Sequence, residues 1–400
     1  MDLDLLRELA VPNTTKILLL VIDGLGGLPN ETGRSELEQA YVPHLDRLAM
    51  ESLCGLTMPV AYGVTPGSGP GHLALFGYDP VRYRVGRGVL EALGIDFDLQ
   101  PTDLAARGNF CTVDNEGRIT DRRAGRIPTE QSAQLCEALG RIELPGVRVF
   151  VEPVRDHRFL LVLRGEGLDD RLTETDPQRE GAKPLPVRAL APEAESTAAL
   201  LNRWVDEAAR VLRDKHPANM LTLRGLARRP EMPSLPAICG FRAGAIAAYP
   251  MYRGLAKLVG MDVLKTGATF ADEVATLKEH WDAYDFLFLH FKKADAAGED
   301  GDFQAKIAAL EEVDGYIDEL HGLQADVFMV AGDHSTPAIV AGHSWHPVPF
   351  LLHAKHFAQA DATDGFNEKG CSRGVLGTFP AKEALSLAMA HAGRLTKYGA

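Results

Sequence analysis

The 400-residue chain has only five cysteines, Cys54, Cys111, Cys136, Cys239 and Cys371, with no Cys-x-x-Cys pair among them. An odd, scattered set of thiols excludes a disulfide framework and reads as small buried hydrophobes in a reducing cytoplasm. Long apolar runs are also missing. The longest, Ile17–Ile22, falls far short of the roughly 20 residues that a membrane-spanning helix needs. The stretch from Met1 to Thr15 lacks the basic start and cleavage site of a signal peptide, so a soluble protein is expected. Positive charge is in deficit: 42 Lys and Arg against 55 Asp and Glu leave a formal net charge of −13. Such a chain is a poor non-specific partner for nucleic acid or an anionic membrane, although a local basic cluster can still hold an anionic small molecule. With 39 Gly, 24 Pro and no internal repeat, disorder, collagen and coiled coil are excluded.

What is present is an ordinary globular composition, 46% hydrophobic and 24% charged, in a chain long enough for two or three domains or one large domain with an insertion. Lys16-Ile-Leu-Leu-Leu-Val-Ile-Asp23 is continuously apolar, as a strand buried on both faces of a parallel sheet is. Asp285–Phe291, Asp326–Ala331 and Val348–His353 repeat the pattern. Amphipathic helical stretches lie among them at Val42–Ser52, Phe270–Tyr284, Phe303–Leu320 and Ala381–Lys397. Strands alternating with helices predict an α/β fold, a mainly parallel sheet sandwiched by helices. Between Leu99 and Leu190 the segments alternate instead, predicting a smaller inserted α+β lobe with an open-faced sheet, and the proline-rich Lys183–Pro192 stretch reads as a linker. The expected organisation is thus a discontinuous domain, 1–98 with 191–400, interrupted by a lobe at 99–190.

In an open α/β sheet, ligands bind outside the carboxyl ends of the strands. The residues just past these strands are Asp23, then Asp295 and Glu299, then Asp333 and His334, with His343 and His346 before the last strand. Carboxylates converging on one edge would repel and take up protons, whereas divalent cations let them all ionise. Mixed Asp, Glu and His ligation suits Mn²⁺, Zn²⁺ or Mg²⁺, and a pair of metals about 4 Å apart is the usual arrangement for phosphoryl transfer. Singly, each of these residues reads equally as a cap, a turn or a core side chain. The joint pattern is what points to a metal site. The second informative element is Thr65-Pro-Gly-Ser-Gly-Pro-Gly-His72, which places Ser68 at a helix entry, where backbone N–H groups and the helix dipole favour phosphate. Its glycines stand next to the serine rather than two residues away, so it is not a hydrolase nucleophile elbow. An N-cap serine is the plainer alternative.

These segments, together with Phe76-Gly-Tyr-Asp-Pro80, Gly86–Ala92, Arg107-Gly-Asn-Phe110, Asp121-Arg-Arg-Ala-Gly-Arg126, Gly332-Asp-His-Ser335, and His343 with Pro347-Val-Pro349, resemble the cofactor-independent phosphoglycerate mutases. The branch resembled is the shorter, archaeal-type one within the alkaline phosphatase superfamily, and the likeness runs from about Lys16 to the C-terminus. The resemblance implies a cytoplasmic isomerase that moves a phosphoryl group between the 3- and 2-hydroxyls of glycerate through a phosphoserine, without 2,3-bisphosphoglycerate. It implies Ser68 as nucleophile, with Asp23, Ser68, Asp333 and His334 on one metal and Asp295, Glu299 and His343 on the other. Manganese is the expected ion, with Mg²⁺, Co²⁺ and Zn²⁺ as alternatives.

One departure stands out. The family has histidine four residues after the position of Asp295, where this chain has Glu299, a harder ligand that would favour Mn²⁺ or Mg²⁺ over Zn²⁺; His346 lies near without matching a family ligand. For the anionic substrate the sequence offers Arg122, Arg123 and Arg126 in the inserted lobe, then Arg224 and Arg253, with His157-Arg158 weaker and Lys292, Lys293 and Trp345 read as structural. A phosphomonoester or phosphodiester hydrolase using the same metals is the rival reading, and a non-catalytic phosphometabolite binder is a second. The expected partner is a small phosphorylated acid.

Overall fold

A computed structural model describes residues 2–356, 360–361 and 363–399. The chain divides into two compact units, Met1–Arg84 with Met232–Ala400, and Val85–Glu231. In chain order the strands are β1 (Ile17–Ile22), β2 (Leu53–Met58), β3 (Asp103–Val113), β4 (Ile119–Asp121), β5 (Arg148–Arg155), β6 (Arg158–Arg164), β7 (Met220–Arg228), β8 (Ala243–Ile246), β9 (Asp262–Val263), β10 (Phe286–Phe291), β11 (Val327–Ala331), β12 (Val348–Ala354) and β13 (Gly377–Pro380).

Among the described residues, the first unit is built on an eight-stranded sheet ordered β13-β2-β12-β11-β1-β10-β8-β9. Every neighbouring pair is parallel except the two made by β12, which runs against β11 and β2. The continuous hydrophobicity of β1 has its cause here: all six of its residues are buried. Leu18, Leu20 and Ile22 join a core with Leu277 of the Phe270–Glu279 helix and Leu310 and Val313 of the Phe303–Asp314 helix. Each such side chain contributes roughly 1.5–3 kcal/mol on leaving water, so one charged residue in β1 would undo several contacts at once. β1 is in register with β10 from Ile17↔Phe286 to Ile22↔Phe291 and with β11 from Ile17↔Val327 to Val21↔Ala331. The three strands therefore finish at one edge, which is what brings Asp23, Lys292 and Gly332 together.

The helices are shorter than their amphipathic patterns suggest. The 303–320 stretch is two helices, Phe303–Asp314 and Ile317–Gly322, because the Gly315 N–H turns back onto Glu311 and Val313 and closes the first. The 270–284 stretch ends as a helix at Glu279, with a single 3₁₀ turn at Trp281–Ala283.

The second unit is an antiparallel sheet in which β3 is flanked by β6 and β7 and meets β4 at its end, while β5 extends β6. Leu104, Ala106 and Phe110 of β3 face a core with Leu135 and Leu139 of the Thr129–Leu139 helix and Leu201 and Trp204 of the Glu195–Leu212 helix. The alternation of a strand then turns Ala105, Arg107 and Asn109 to the other face. That face is not fully open, as the alternating pattern led us to expect. The Arg87–Gly94 helix lies on it, with Gly88 packed on Ala105 and Glu91 3.8 Å from Arg107. The unit also reaches beyond 99–190 at both ends, since β7 pairs along β3 from Leu104 to Cys111. The Lys183–Pro192 stretch is no linker. Val187 is buried, and its N–H and C=O are both held by the Asn202 amide, because the segment folds back against the Glu195–Leu212 helix.

Candidate active site

Asp23 follows β1, Asp295 lies in the Lys293–Glu299 helix after β10, and Asp333 and His334 follow β11; all four are buried. Two glycines allow the approach. Gly24 has φ +69°, and a Cβ there would lie 2.8 Å from the Asp295 Cα. A Cβ on Gly71 would lie 2.1 Å from the Asp333 carbonyl oxygen, so only glycine lets the Ser68–Leu75 helix seat its first turn on that loop. Ser68 opens this helix and is buried, with its Oγ 3.2 Å from His334 Nε2.

The ring of His334 is oriented by Thr336. The Thr336 hydroxyl donates to Asp295 Oδ1 at 2.7 Å, so it accepts from His334 Nδ1 at 2.9 Å. That assignment puts a proton on His334 Nδ1 and leaves Nε2 as the ring nitrogen that faces Ser68. Asp333 Oδ2 lies 3.1 Å from His334 Nε2 and 3.1 Å from His72 Nδ1, and Asp23 Oδ1 lies 3.5 Å from His334 Nε2. His343 Nε2 is 3.5 Å from Asp295 Oδ1 and 3.5 Å from Glu299 Oε1, with its ring stacked on His334.

Two sets of side chains offer ligand atoms close enough to share an ion: Asp23, Asp333 and His334, and Asp295, His334 and His343. The buried Asp23 Oδ1 and Asp333 Oδ2 have no aligned hydrogen bond. Orphaned carboxylate oxygens beside an imidazole nitrogen fit a hard or borderline divalent cation. Glu299 stands outside these sets. Its side chain is half exposed, and the hydrogen bond from His343 holds its carboxyl at about 2. His346 is turned away, with Nδ1 3.1 Å from the Ser344 hydroxyl and its ring stacked on Trp345.

A second layer, unread in the sequence, surrounds Asp23. The Tyr252 hydroxyl donates a short hydrogen bond to Asp23 Oδ2, His290 Nε2 lies 3.1 Å from the same oxygen, and the two rings stack at 3.7 Å. Lys292, which the sequence led us to read as structural, donates to Asp23 Oδ2 at 3.2 Å and to Asp295 Oδ2. Burial and Asp333 oppose ionisation of Asp23, yet Lys292, His290 and His334 hold its carboxyl below the usual range. Burial lowers His290 to about 4. Arg253, next to Tyr252 on the Pro250–Leu258 helix, is half-buried.

In the second unit, the face of β3 turned from the core gathers arginines. Arg107 stands directly opposite Arg224 of β7, and Asn109 opposite Arg158 of β6. Burial, with Arg87 beside it, lowers Arg107 to about 10. The Nε donors of Arg107 and Arg224 are buried without an acceptor, the state an incoming oxyanion would relieve. Arg122 is committed to Asp176 at 2.9 Å; Arg123 and Arg126 are exposed on the turn around Ala124–Arg126. Of the arginines read from the sequence, the structure therefore sets Arg224 and the more weakly read Arg158 in this cluster, and it adds Arg107.

The family model described as 2,3-bisphosphoglycerate-independent phosphoglycerate mutase matches residues 49–219. A relative from Thermosipho melanesiensis named "probable 2,3-bisphosphoglycerate-independent phosphoglycerate mutase" is 48% identical over 99% of this chain and 98% of its own. The chain belongs to the 2,3-bisphosphoglycerate-independent phosphoglycerate mutase family. A Thermus thermophilus relative of the same name is 49% identical over the full length of both chains. Among solved structures, the cofactor-independent phosphoglycerate mutase of Thermoplasma acidophilum superposes with a TM-score of 0.68 at 29% identity, over 95% of this chain and 100% of that one. The phosphoglycerate mutases are isomerases, and the resemblance read from the strand-end motifs holds along the whole chain. No helix among the described residues is long and apolar enough to cross a membrane.

Proposed function

We propose that the protein interconverts 3-phosphoglycerate and 2-phosphoglycerate through a phosphoserine on Ser68. The observation that carries the reading is Ser68 Oγ, buried at a helix N-terminus and 3.2 Å from His334 Nε2, where two sets of acidic and imidazole ligands meet. Asp23, Ser68, Asp333 and His334 would hold one divalent cation, and Asp295 and His343, with Glu299 at the rim, the other. Such ions would let the carboxylates ionise together, lower the pKa of the serine hydroxyl and offset the charge of the transferred phosphoryl group.

The chain's own residues do the rest. The Ser68 hydroxyl gives up its proton and its Oγ attacks phosphorus in line; the Oγ–P bond forms as the bond to the 3-oxygen of glycerate breaks, and in balance the proton lost by Ser68 ends on the released 3-hydroxyl. Backbone N–H groups at the start of the Ser68–Leu75 helix face the phosphoryl oxygens. The 2-hydroxyl of the retained glycerate then takes the phosphoryl group and the serine is restored. Recognition of the substrate's anionic groups is assigned to arginines: Arg107, Arg158 and Arg224 on one face of β3, β6 and β7, with Arg123, Arg126 and Arg253 as further candidates and Arg122 only on release from Asp176. Water is the competing acceptor, so its exclusion separates mutase from phosphatase. The carboxylate of Glu299 favours Mn²⁺ or Mg²⁺ over Zn²⁺, and five buried thiols suit a reducing cytoplasm.

Phosphorus NMR of the purified protein with 3-phosphoglycerate and Mn²⁺ tests this. The 2-phosphoglycerate signal should grow to a constant ratio with little free phosphate. Free phosphate without 2-phosphoglycerate would establish the hydrolase instead.

A further inference from the structure

A lysine is buried completely behind this site. Lys306, in the Phe303–Asp314 helix, is 0% exposed, and its Nζ donates to the carbonyl oxygens of Gly26 and Thr336, both at 2.9 Å. Its ion-pair partner, Glu36 Oε1, is as far as 4.0 Å away. Burying an ammonium costs several kcal/mol, and an apolar side chain of the same size would ordinarily be the more stable choice. Both of its bonds go instead to the two loops that carry ligands: Gly26 follows Asp23 by three residues, and Thr336 is the residue whose hydroxyl holds Asp295 and orients His334.

Two carboxylates, Glu36 buried and Glu368 half-buried, complete the arrangement. Glu36 accepts from the Ala338 N–H at 2.6 Å and the Leu28 N–H at 3.2 Å, one from each loop. Glu368 accepts from the Gly27 N–H at 2.8 Å and the Ser35 hydroxyl at 2.6 Å. The loops also bond directly, Thr336 N–H to the Gly26 carbonyl at 3.0 Å. Carbonyls of both loops thus point at one ammonium while amides of both point at carboxylates. This fixes loop against loop from both sides, adding to the isolated bridges that Ser335 makes with Leu25 and Gly26 in segments otherwise outside any helix or strand.

We propose that Lys306 is a positioning residue: by tying the Gly26 and Thr336 carbonyls together, it sets the Thr336 hydroxyl and so the alignment of Asp295 and His334 toward a divalent cation. This rests on the proposed metal binding by those residues. Loss of outer partners of a metal ligand typically costs 10–100-fold in affinity.

Mn²⁺ titration of the metal-free protein, followed by calorimetry and by the paramagnetic resonance of free Mn²⁺, tests the assignment. K306M keeps the length of the stem and removes the charge. It should bind at least one of two Mn²⁺ about 10-fold more weakly than the unaltered protein, with a smaller change in KM than in kcat at saturating metal. T336V should give a similar loss, and K306M with T336V little more than either alone, because both act through one hydroxyl. Should K306M fold poorly, K306M with E36Q removes the carboxylate left behind, so it should recover melting temperature while the affinity stays low. If K306M or the paired variant binds both ions as tightly as the unaltered protein, the lysine only stabilises the fold and the proposal is overturned. If the unaltered protein binds no Mn²⁺, the metal reading itself fails, a result that no Lys306 variant is needed to recognise.

Discussion

In the first unit the charge clustered at strand ends, around the loops after β1, β10 and β11, is mainly carboxylate; in the second the charge clustered in mid-strand, on one face of β3, β6 and β7, is mainly guanidinium. Asp23, Asp295 and Asp333 crowd around His334 and Lys292, while Arg107 stands opposite Arg224. Like charges directly opposite one another on a sheet are destabilising. Each cluster therefore carries an excess of one sign, offset in part by Lys292 in the first and by Glu91, Glu174 and Asp176 in the second, that a ligand of the other sign would relieve further. The net charge of −13 conceals this segregation. The two solutions also differ in how they are held. Sheet register fixes the arginines, whereas the carboxylates depend on close loop contacts and on the side chains packed behind them.

The sharpest way to separate the chemical contribution of the first unit from mere binding is S68A. It should reduce mutase turnover about 10⁴-fold or more, the scale seen when a nucleophile is removed. Acid quenching after incubation with ³²P-labelled 3-phosphoglycerate should then yield no labelled protein. Turnover within ten-fold of the unaltered protein would move the nucleophile elsewhere.

Chelation acts on the carboxylate side alone. EDTA should abolish activity and lower stability by about 2.7 kcal/mol relative to protein held at 100 times the metal dissociation constant. Faster hydrogen exchange should be confined to the loops at 23–28 and 332–344. Equal loosening of β3 and β7 would break the division between the two units. Among ions added back, Mn²⁺ or Mg²⁺ should restore more activity than Zn²⁺, and the reverse order would count against a role for Glu299.

R224M addresses the guanidinium side. Losing one anion-binding fork should raise KM for 3-phosphoglycerate roughly 10- to 30-fold, about 1.4–2 kcal/mol, with bound metal unchanged. Relief of the Arg107–Arg224 opposition should raise the melting temperature at the same time. A lower melting temperature with unchanged KM would make Arg224 an ordinary partner of Glu174 and Asp176, which lie 3.5 and 3.7 Å from its Nε.

The same contrast explains which residues were legible in the sequence. Strand-end residues are found at the polar positions that close an apolar run, and Asp23, Asp295, Asp333 and His334 came to one edge as that rule predicts. Arg107 of β3 is invisible to it, because Asp103–Val113 mixes small, polar and apolar residues and only cross-strand register reveals that it shares a face with Arg158 and Arg224. Lys306 looks like a helix-surface lysine at its position, and its burial comes from loops distant in sequence, whereas Lys292 directly closes the β10 run, yet reads as structural. The Tyr252–Asp23 contact joins residues 229 apart, and no local pattern announces it. The Lys183–Pro192 misreading has a similar source: proline marks an irregular segment, and does not say whether the segment is free or packed.

The smallest effects test the contrast away from either cluster, and they have opposite signs. Glu273 of the first unit is buried and accepts the Ala248 N–H at 2.7 Å; burial pushes its carboxyl up to about 8. Between pH 4.5 and 8 the folded protein holds a proton there that the unfolded chain has released, so this contribution to stability is lost as pH rises. His157 of the second unit is buried, and burial, with Arg158 and Arg123 beside it, lowers it to about 4. Between pH 6.5 and 4 the unfolded chain takes up a proton that the folded one refuses, so this contribution is lost as pH falls. E273Q should therefore gain about 1–2 kcal/mol on the unaltered protein between about pH 5 and pH 9, and H157Q a similar amount between about pH 7 and pH 4.5, both read from urea midpoints. Parallel pH profiles for E273Q and the unaltered protein would show that a buried carboxyl without a cationic partner ionises as freely as the clustered ones. Parallel profiles for H157Q would show that the arginine field does not reach the turn between β5 and β6.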